Sequence, residues 1–369
     1  MDSVKGAEKK ILIVLSMHQL LVAMAVMKQQ GVCFNSVDGV LVRVGAVNSL
    51  LLETLFVNAK IFVVPFIASS SVFARAKEIK RLGNLAVDFL GVKGVKIELW
   101  APNKTYHIVN YILFYSKVSR VIAFEDGLGA YLDSGFLEYR SGLKVATKKL
   151  IALILLFPIY RSFGGVSSFS AGEYWALSQR ALHENKQVIS PAAYISSLRC
   201  AYKVLTEGDM TLAPQQYNRS LLVLVGQPLA EVGLCSELAS VTIYSQMGSL
   251  YFESLGYKCD EVIYLPHPAE SSSLAVKRLS AFVSHGPEEI SATLVENKLS
   301  MELFLYGLRM GDNQVVLVGP LSTSLYTARF AGLVNRAFYF GLGGRGDARL
   351  APIFSDFGVA KLGVGVVEN

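Results

Sequence analysis

Three short stretches of this chain set chemically active side chains beside one another: Glu125-Asp126-Gly127, His267-Pro268 and Ser322-Thr323-Ser324. Two adjacent acids repel each other, and partial burial adds to that, so one of Glu125 and Asp126 is raised towards the range of a general base. The same residues also make an ordinary acidic turn that caps a helix. His267 precedes a proline, which biases it to extended geometry, and Pro266 and Pro268 together leave its backbone little freedom. An imidazole held this way can hydrogen-bond or protonate a departing phosphate near neutral pH; a histidine in a rigid turn is the plainer alternative. Ser322, Thr323 and Ser324 offer hydroxyls and backbone N–H groups at a helix start, which is an anion site or a simple N-cap. His18, His107, His183 and His285 have no comparable setting and read as structural or solvated.

The elements that must position these groups alternate. Residues 11–15, 39–44, 59–64, 95–99 and 119–124 are short Val- and Ile-rich runs of the buried parallel-strand kind, and 19–30, 49–57, 71–82 and 108–116 carry helical patterns between them. This is βαβ winding, with a parallel sheet covered on both faces. It halts in a polar stretch at 207–220 and then restarts. Strands are expected at 221–225, 261–265, 314–318 and 337–340, and helices at 236–255, 274–283, 301–308 and 325–335. The reading is α/β with two Rossmann-like domains facing one another: 1–205, a linker at 206–220, and 221–369. Ligands of such sheets bind beyond the carboxyl ends of the strands, and each of the three active stretches follows a strand.

Composition narrows the class. With 369 residues, 52% hydrophobic and 17% charged, the chain is long and apolar enough for two cores, which excludes disorder. A net charge of +6, spread along the chain, argues against a dedicated nucleic-acid binder and leaves room for an acidic substrate or an anionic membrane surface. Cys33, Cys200, Cys235 and Cys259 lie far apart and read as free thiols. No metal is expected, since HExxH, Asp-x-Asp and paired Cys/His are all missing. Gly341-Leu342-Gly343-Gly344-Arg345-Gly346 matches GxGxxG, but Pro352 and the nearness of the chain end argue against a complete βαβ unit there. The short apolar run 11–15 makes no secretory signal, and 150–157, flanked by Lys144, Lys148, Lys149 and Arg161, is far below the roughly 20 residues of a spanning helix. A cytoplasmic location is expected, with 150–157 either a buried helix or one resting on anionic lipid.

The order of the marks, an acidic-acidic-Gly turn, then His-Pro, then a Ser/Thr cluster, resembles the bacterial sialyltransferases. Within that group the chain looks most like glycosyltransferase family 52, the lipooligosaccharide sialyltransferases, with the capsular polysialyltransferases of family 38 next. Ser16-Met17-His18-Gln19-Leu20-Leu21 is similar to the group's first-strand exit, Thr/Ser-Pro-x-Gln-Leu-Leu. Gly226-Gln227-Pro228-Leu229 and Leu265-Pro266-His267-Pro268-Ala269-Glu270 look like the family 52 segments Gln-Pro-Leu and Lys-Pro-His-Pro-Arg-Glu. Leu265 and Ala269 replace basic residues of that pattern. Ala230-Glu231-Val232-Gly233 keeps one acid where family members can carry a pair.

The resemblance implies a GT-B enzyme that moves sialic acid from CMP-sialic acid to a glycan hydroxyl of bacterial surface polysaccharide, inverting the anomeric centre without metal or further cofactor. It implies Glu125 or Asp126 as base, His267 as hydrogen-bond donor to the leaving CMP, and Ser322, Thr323 and Ser324 around its phosphate. Glu302 would read the ribose, and Gly226, Gln227, Pro268 and Glu270 would lie in the donor site. In-line attack favours Glu125, then Asp126, then Glu231, the last requiring its loop to reach over the donor or domains to exchange in a homodimer. Two rivals fit the same residues: a transferase using another nucleotide sugar, and a silent nucleotide-sugar-binding scaffold. Contact with the inner face of the membrane would be peripheral.

Overall fold

The computed structural model describes residues 8–65, 72–102, 107–127, 131, 173–181, 185–208, 218–231, 233–256, 258–295, 299–342 and 345–362. The chain divides into two units, Met1–Val204 and Leu205–Asn369. The first holds β1 (Lys9–Val14), α1 (Met17–Gln29), β2 (Gly39–Arg43), α2 (Ser49–Leu55), β3 (Lys60–Val64), α3 (Val72–Leu90), β4 (Lys96–Ala101), α4 (His107–Tyr115), β5 (Lys117–Phe124), β6 (Glu173–Ala176) and β7 (Lys186–Val188). Helix α5 (Pro191–Gly208) runs on into the second unit. There follow β8 (Ser220–Val225), α6 (Glu237–Ser249), β9 (Glu261–Leu265), α7 (Ser272–Val283), β10 (Ser291–Leu294), α8 (Met301–Met310), β11 (Gln314–Pro320), α9 (Thr323–Phe330), β12 (Arg336–Phe340), α10 (Arg345–Asp356) and β13 (Val359–Lys361).

Each unit is one parallel sheet. The strand orders are β3-β2-β1-β4-β5-β6-β7 and β10-β9-β8-β11-β12-β13, so each chain segment winds outward from its first strand and then reverses to the other side. That reversal, between β1 and β4 and again between β8 and β11, makes two topological switch points of the kind at which α/β sheets take ligands. Ile11, Leu12, Ile13 and Val14 have no exposure, nor do Leu221 to Leu224, as continuous apolar runs buried on both faces require. Helix α1 is buried along its whole middle, Leu20 to Met27, so it is a core helix and not an amphipathic one.

Several elements depart from the sequence pattern. The helix expected over 236–255 is α-helical to Ser249 and then widens into a π turn, Leu250–Leu255, which ends at Gly256 with φ +61°. The wider turn lets the consecutive rings of Tyr251 and Phe252 both meet Phe282, at 6.2 and 5.5 Å. Strands β6, β7, β10 and β13 have only three or four residues, too short a run to stand out in the sequence. The expectation that the chain ends without a last βαβ unit is corrected. Helix α10 continues through Pro352, and β13 pairs in parallel with β12, Ala337 opposite Val359. Leu350, Ile353 and Phe354 bury the helix's apolar stripe, which offsets the hydrogen bond that Pro352 lacks. Gly343 and Gly344 fall outside the described residues, as does the apolar segment 150–157. Among the described residues, no helix is long and apolar enough to cross a membrane.

Candidate active site

In the first unit the acidic pair sits where β5 ends. Glu125 turns its carboxylate inward and is fully buried. Its Oε2 accepts from the Tyr131 hydroxyl at 2.6 Å and from the Leu177 N–H, just past β6, at 2.7 Å. Asp126 is half-buried. Gly127 takes φ +112°, a conformation that favours glycine. The two acids act on their neighbours: burial first, then the negative charges of Glu125 and Asp126, hold the Tyr174 phenol well above its ordinary range. Tyr131 is raised by burial and then by Glu125.

His18 joins this group, against the expectation that it stands apart. Ser16 caps α1, its Oγ accepting from the Gln19 N–H at 3.2 Å, while Gln19 Oε1 reaches back to the Leu15 N–H at 2.7 Å. The first turn so fixed brings His18 Nε2 to 3.9 Å from Glu125 Oε1, near neighbours without a hydrogen bond. Burial pushes the imidazole down to about 4, so it is neutral at pH 7. The available sequence signal was its place at the exit of the central strand, the same edge as Glu125.

In the second unit, six of the sequence candidates gather at the ends of the paired strands β8 and β9. Gly226 donates its N–H to Leu265 at 2.8 Å, and a Cβ at Gly226 would overlap Glu270 Oε2 and stand 2.7 Å from His267 N, so only glycine lets the two exits touch. Glu270 takes the His267 N–H on Oε2 at 3.0 Å and the Tyr264 hydroxyl on Oε1 at 2.5 Å. His267 Nδ1 accepts from the Ala269 N–H at 3.1 Å, so the neutral ring carries its proton on Nε2. His267 and Pro268 are exposed. Gln227 contributes backbone, its N–H to the Tyr244 hydroxyl at 3.1 Å and its carbonyl to Arg278 Nη1 at 3.1 Å. Glu231 accepts from the Ser271 N–H at 3.2 Å and pairs with Arg278 Nη2 at 3.2 Å. Burial would raise its carboxyl, but its own backbone N–H, then Ser271 and Arg278, outweigh burial and hold it below the ordinary range.

Arg278, the hub of this network, was missed. It lies on the buried stripe of α7 among Leu274, Ala275, Leu279 and Phe282. A lone arginine at core spacing must find acceptors, which is the signal that marks it. Farther along the edge, Ser322 is the N-cap of α9, its Oγ accepting from the Ser324 N–H at 3.3 Å, and Thr323 opens the helix. Glu302 lies buried in the first turn of α8, its carboxyl raised by burial against the opposing hydrogen bonds from its own backbone N–H and from Ser300. These stand on the β11 side of the switch point, beside β8.

No family model matches the chain, and no curated protein matches it. Among solved structures, the UDP-GlcNAc 2-epimerase from Methanocaldococcus jannaschii is similar over 96% of this chain and 89% of its own, with 9% identity and a TM-score of 0.51. The UDP-GlcNAc 2-epimerase from Neisseria meningitidis follows at 10% identity and TM-score 0.45, covering 93% of this chain and 85% of its own. MurG from Acinetobacter baumannii has 11% identity and TM-score 0.39, over 97% of this chain and 87% of its own. At such identity the likeness is one of fold: an α/β chain of two Rossmann-like domains of the GT-B kind.

Proposed function

We propose that this protein is a nucleotide-sugar enzyme that transfers sialic acid from CMP-sialic acid to a glycan hydroxyl, with inversion and without metal. The observation that carries the reading is His267: an exposed imidazole beyond β9, fixed by its own turn so that Nε2–H is the donor it presents. A donor aimed at an oxygen that gains charge as the bond breaks stabilises the transition state more than the ground state.

In the proposed step the acceptor oxygen bonds to the anomeric carbon, and the bond from that carbon to the CMP phosphate oxygen breaks with its electron pair. His267 Nε2–H hydrogen-bonds that oxygen. Ser322, whose Oγ is an acceptor within its cap, still has its O–H to give, and the start of α9 favours an anion. Glu302 faces the ribose. The acceptor's proton goes to the acidic pair of the first unit. We favour Asp126 over Glu125 for this role, reversing the order read from the sequence, because Asp126 is partly exposed and Glu125 is buried with Oε2 doubly hydrogen-bonded. Glu231 ranks last, since Arg278 and Ser271 hold it ionised as a structural acceptor. We take the protein to act at the cytoplasmic side of a bacterial membrane.

The fold's likeness to a UDP-GlcNAc 2-epimerase favours a second reading, a UDP-sugar as substrate. Thermal shift with CMP, UDP and GDP separates the two, because a ligand at 100 times its dissociation constant adds about 2.7 kcal/mol. Stabilisation by CMP alone, with transfer from CMP-sialic acid in EDTA, supports the sialyl reading. Stabilisation by UDP or GDP without CMP overturns it.

A further inference from the structure

The side chain of Glu270 has no solvent exposure, and neither has that of Arg278, which pairs with its Oε1. The guanidinium also donates to Gln227 O through Nη1, to Ser240 Oγ through Nε and Nη2 at 3.3 and 3.1 Å, and to Glu231 Oε2 through Nη2, and it lies 5.6 Å from the centre of the Tyr244 ring. One planar cation on α7 therefore ties together the loop after β8, the turn after β9 and helix α6. The other oxygen of Glu270 takes the His267 backbone N–H. A buried carboxylate that loses its cation must take up a proton or move to water. Either change loosens the turn whose Ala269 N–H sets the proton of the imidazole on Nε2.

We propose that Arg278 is the positioning residue of His267, acting through Glu270 to fix the turn and the ring tautomer; its place in catalysis rests on the reading of His267 as the leaving-group donor. Lysine cannot stand in, since a point charge on a flexible stem does not serve Gln227, Ser240, Glu231 and Glu270 in one plane.

The test is an imidazole ¹⁵N–¹H correlation spectrum of the full chain, with His267→Ala assigning the His267 signals. The wild type should show the Nε2-protonated tautomer. In Arg278→Lys the His267 signals should move to the averaged pattern of a mobile ring, and Glu270→Gln, which keeps the arginine but breaks the relay, should move them the same way. Unchanged His267 signals in a folded Arg278→Lys overturn the proposal. Should Arg278→Lys not fold, unchanged signals in Glu270→Gln overturn it. Under the transferase reading Arg278→Lys should lower kcat by about 10²-fold, as a misplaced catalytic group does, with donor KM changed little. In a His267→Ala background that loss should vanish, and an equal loss there also overturns the proposal. Signals that move as stated in a protein without turnover of CMP-sialic acid leave the positioning intact and sink the sialyl reading instead.

Discussion

Glu125 in the first unit and Glu270 in the second are both carboxylates with no solvent exposure, each just past a strand, and they are held in different ways. Glu270 pairs with a buried guanidinium, a fixed opposite charge that cancels its own. Glu125 accepts from a phenol and a backbone N–H, neutral donors that hold a carboxylate without cancelling it, and its charge is felt by Tyr131 and Tyr174. The first arrangement builds a turn and orients a histidine. The second keeps negative charge beside a half-buried acid, which suits a place where a proton is collected.

The largest expected effect falls on the second unit. His267→Ala should lower turnover by about 10²–10⁴-fold with the fold unharmed, as measured by steady-state transfer and by melting. An unchanged rate would make the whole Arg278 network a structural knot.

Next comes His18, which sharpens the contrast from the other side. Its imidazole is lowered from 6.5 to about 4 on folding, so the unfolded chain binds more protons between those values. The stability it gives as a neutral group is present above pH 6.5 and is lost as pH falls towards 4, by about 3 kcal/mol. Denaturant melts from pH 4 to 7 should therefore show a steeper acid loss in wild type than in His18→Gln. Parallel curves would mean that His18 titrates alike in both states.

Asp126→Asn should cut transfer by about 10²-fold. If Glu125→Gln does so instead while remaining folded, the buried acid is the base and the sequence order was right.

How far these groups could be read in advance depended on what each one does. The central strands were legible because 11–15 and 221–225 are unbroken apolar runs and 262–265 is another, and the exits after 119–124 and 261–265 led to Glu125 and His267. Edge strands such as Lys186–Val188 were not, since pairing along one side places no hydrophobic demand on three residues. Arg278 escaped because three of its partners, Ser240, Glu231 and Gln227, lie 38 to 51 residues away, and such contacts leave no local mark beyond a lone arginine at core spacing. His18 escaped for the same reason: its neighbour Glu125 comes from a strand two places over in the sheet.

The smallest effect concerns the cap of α9. Ser322→Ala should cost about 1 kcal/mol of stability, the usual value for an N-cap, and should also weaken CMP binding. A loss of stability with CMP affinity intact would leave Ser322 a cap alone.

The central claim is the proposed one, that His267 of the second unit holds the leaving nucleotide. Calorimetric titration of CMP into wild type, Asp126→Asn and His267→Ala tests it most directly. The account predicts wild-type affinity in Asp126→Asn and weakened affinity in His267→Ala. Affinity lost in Asp126→Asn and kept in His267→Ala would contradict it.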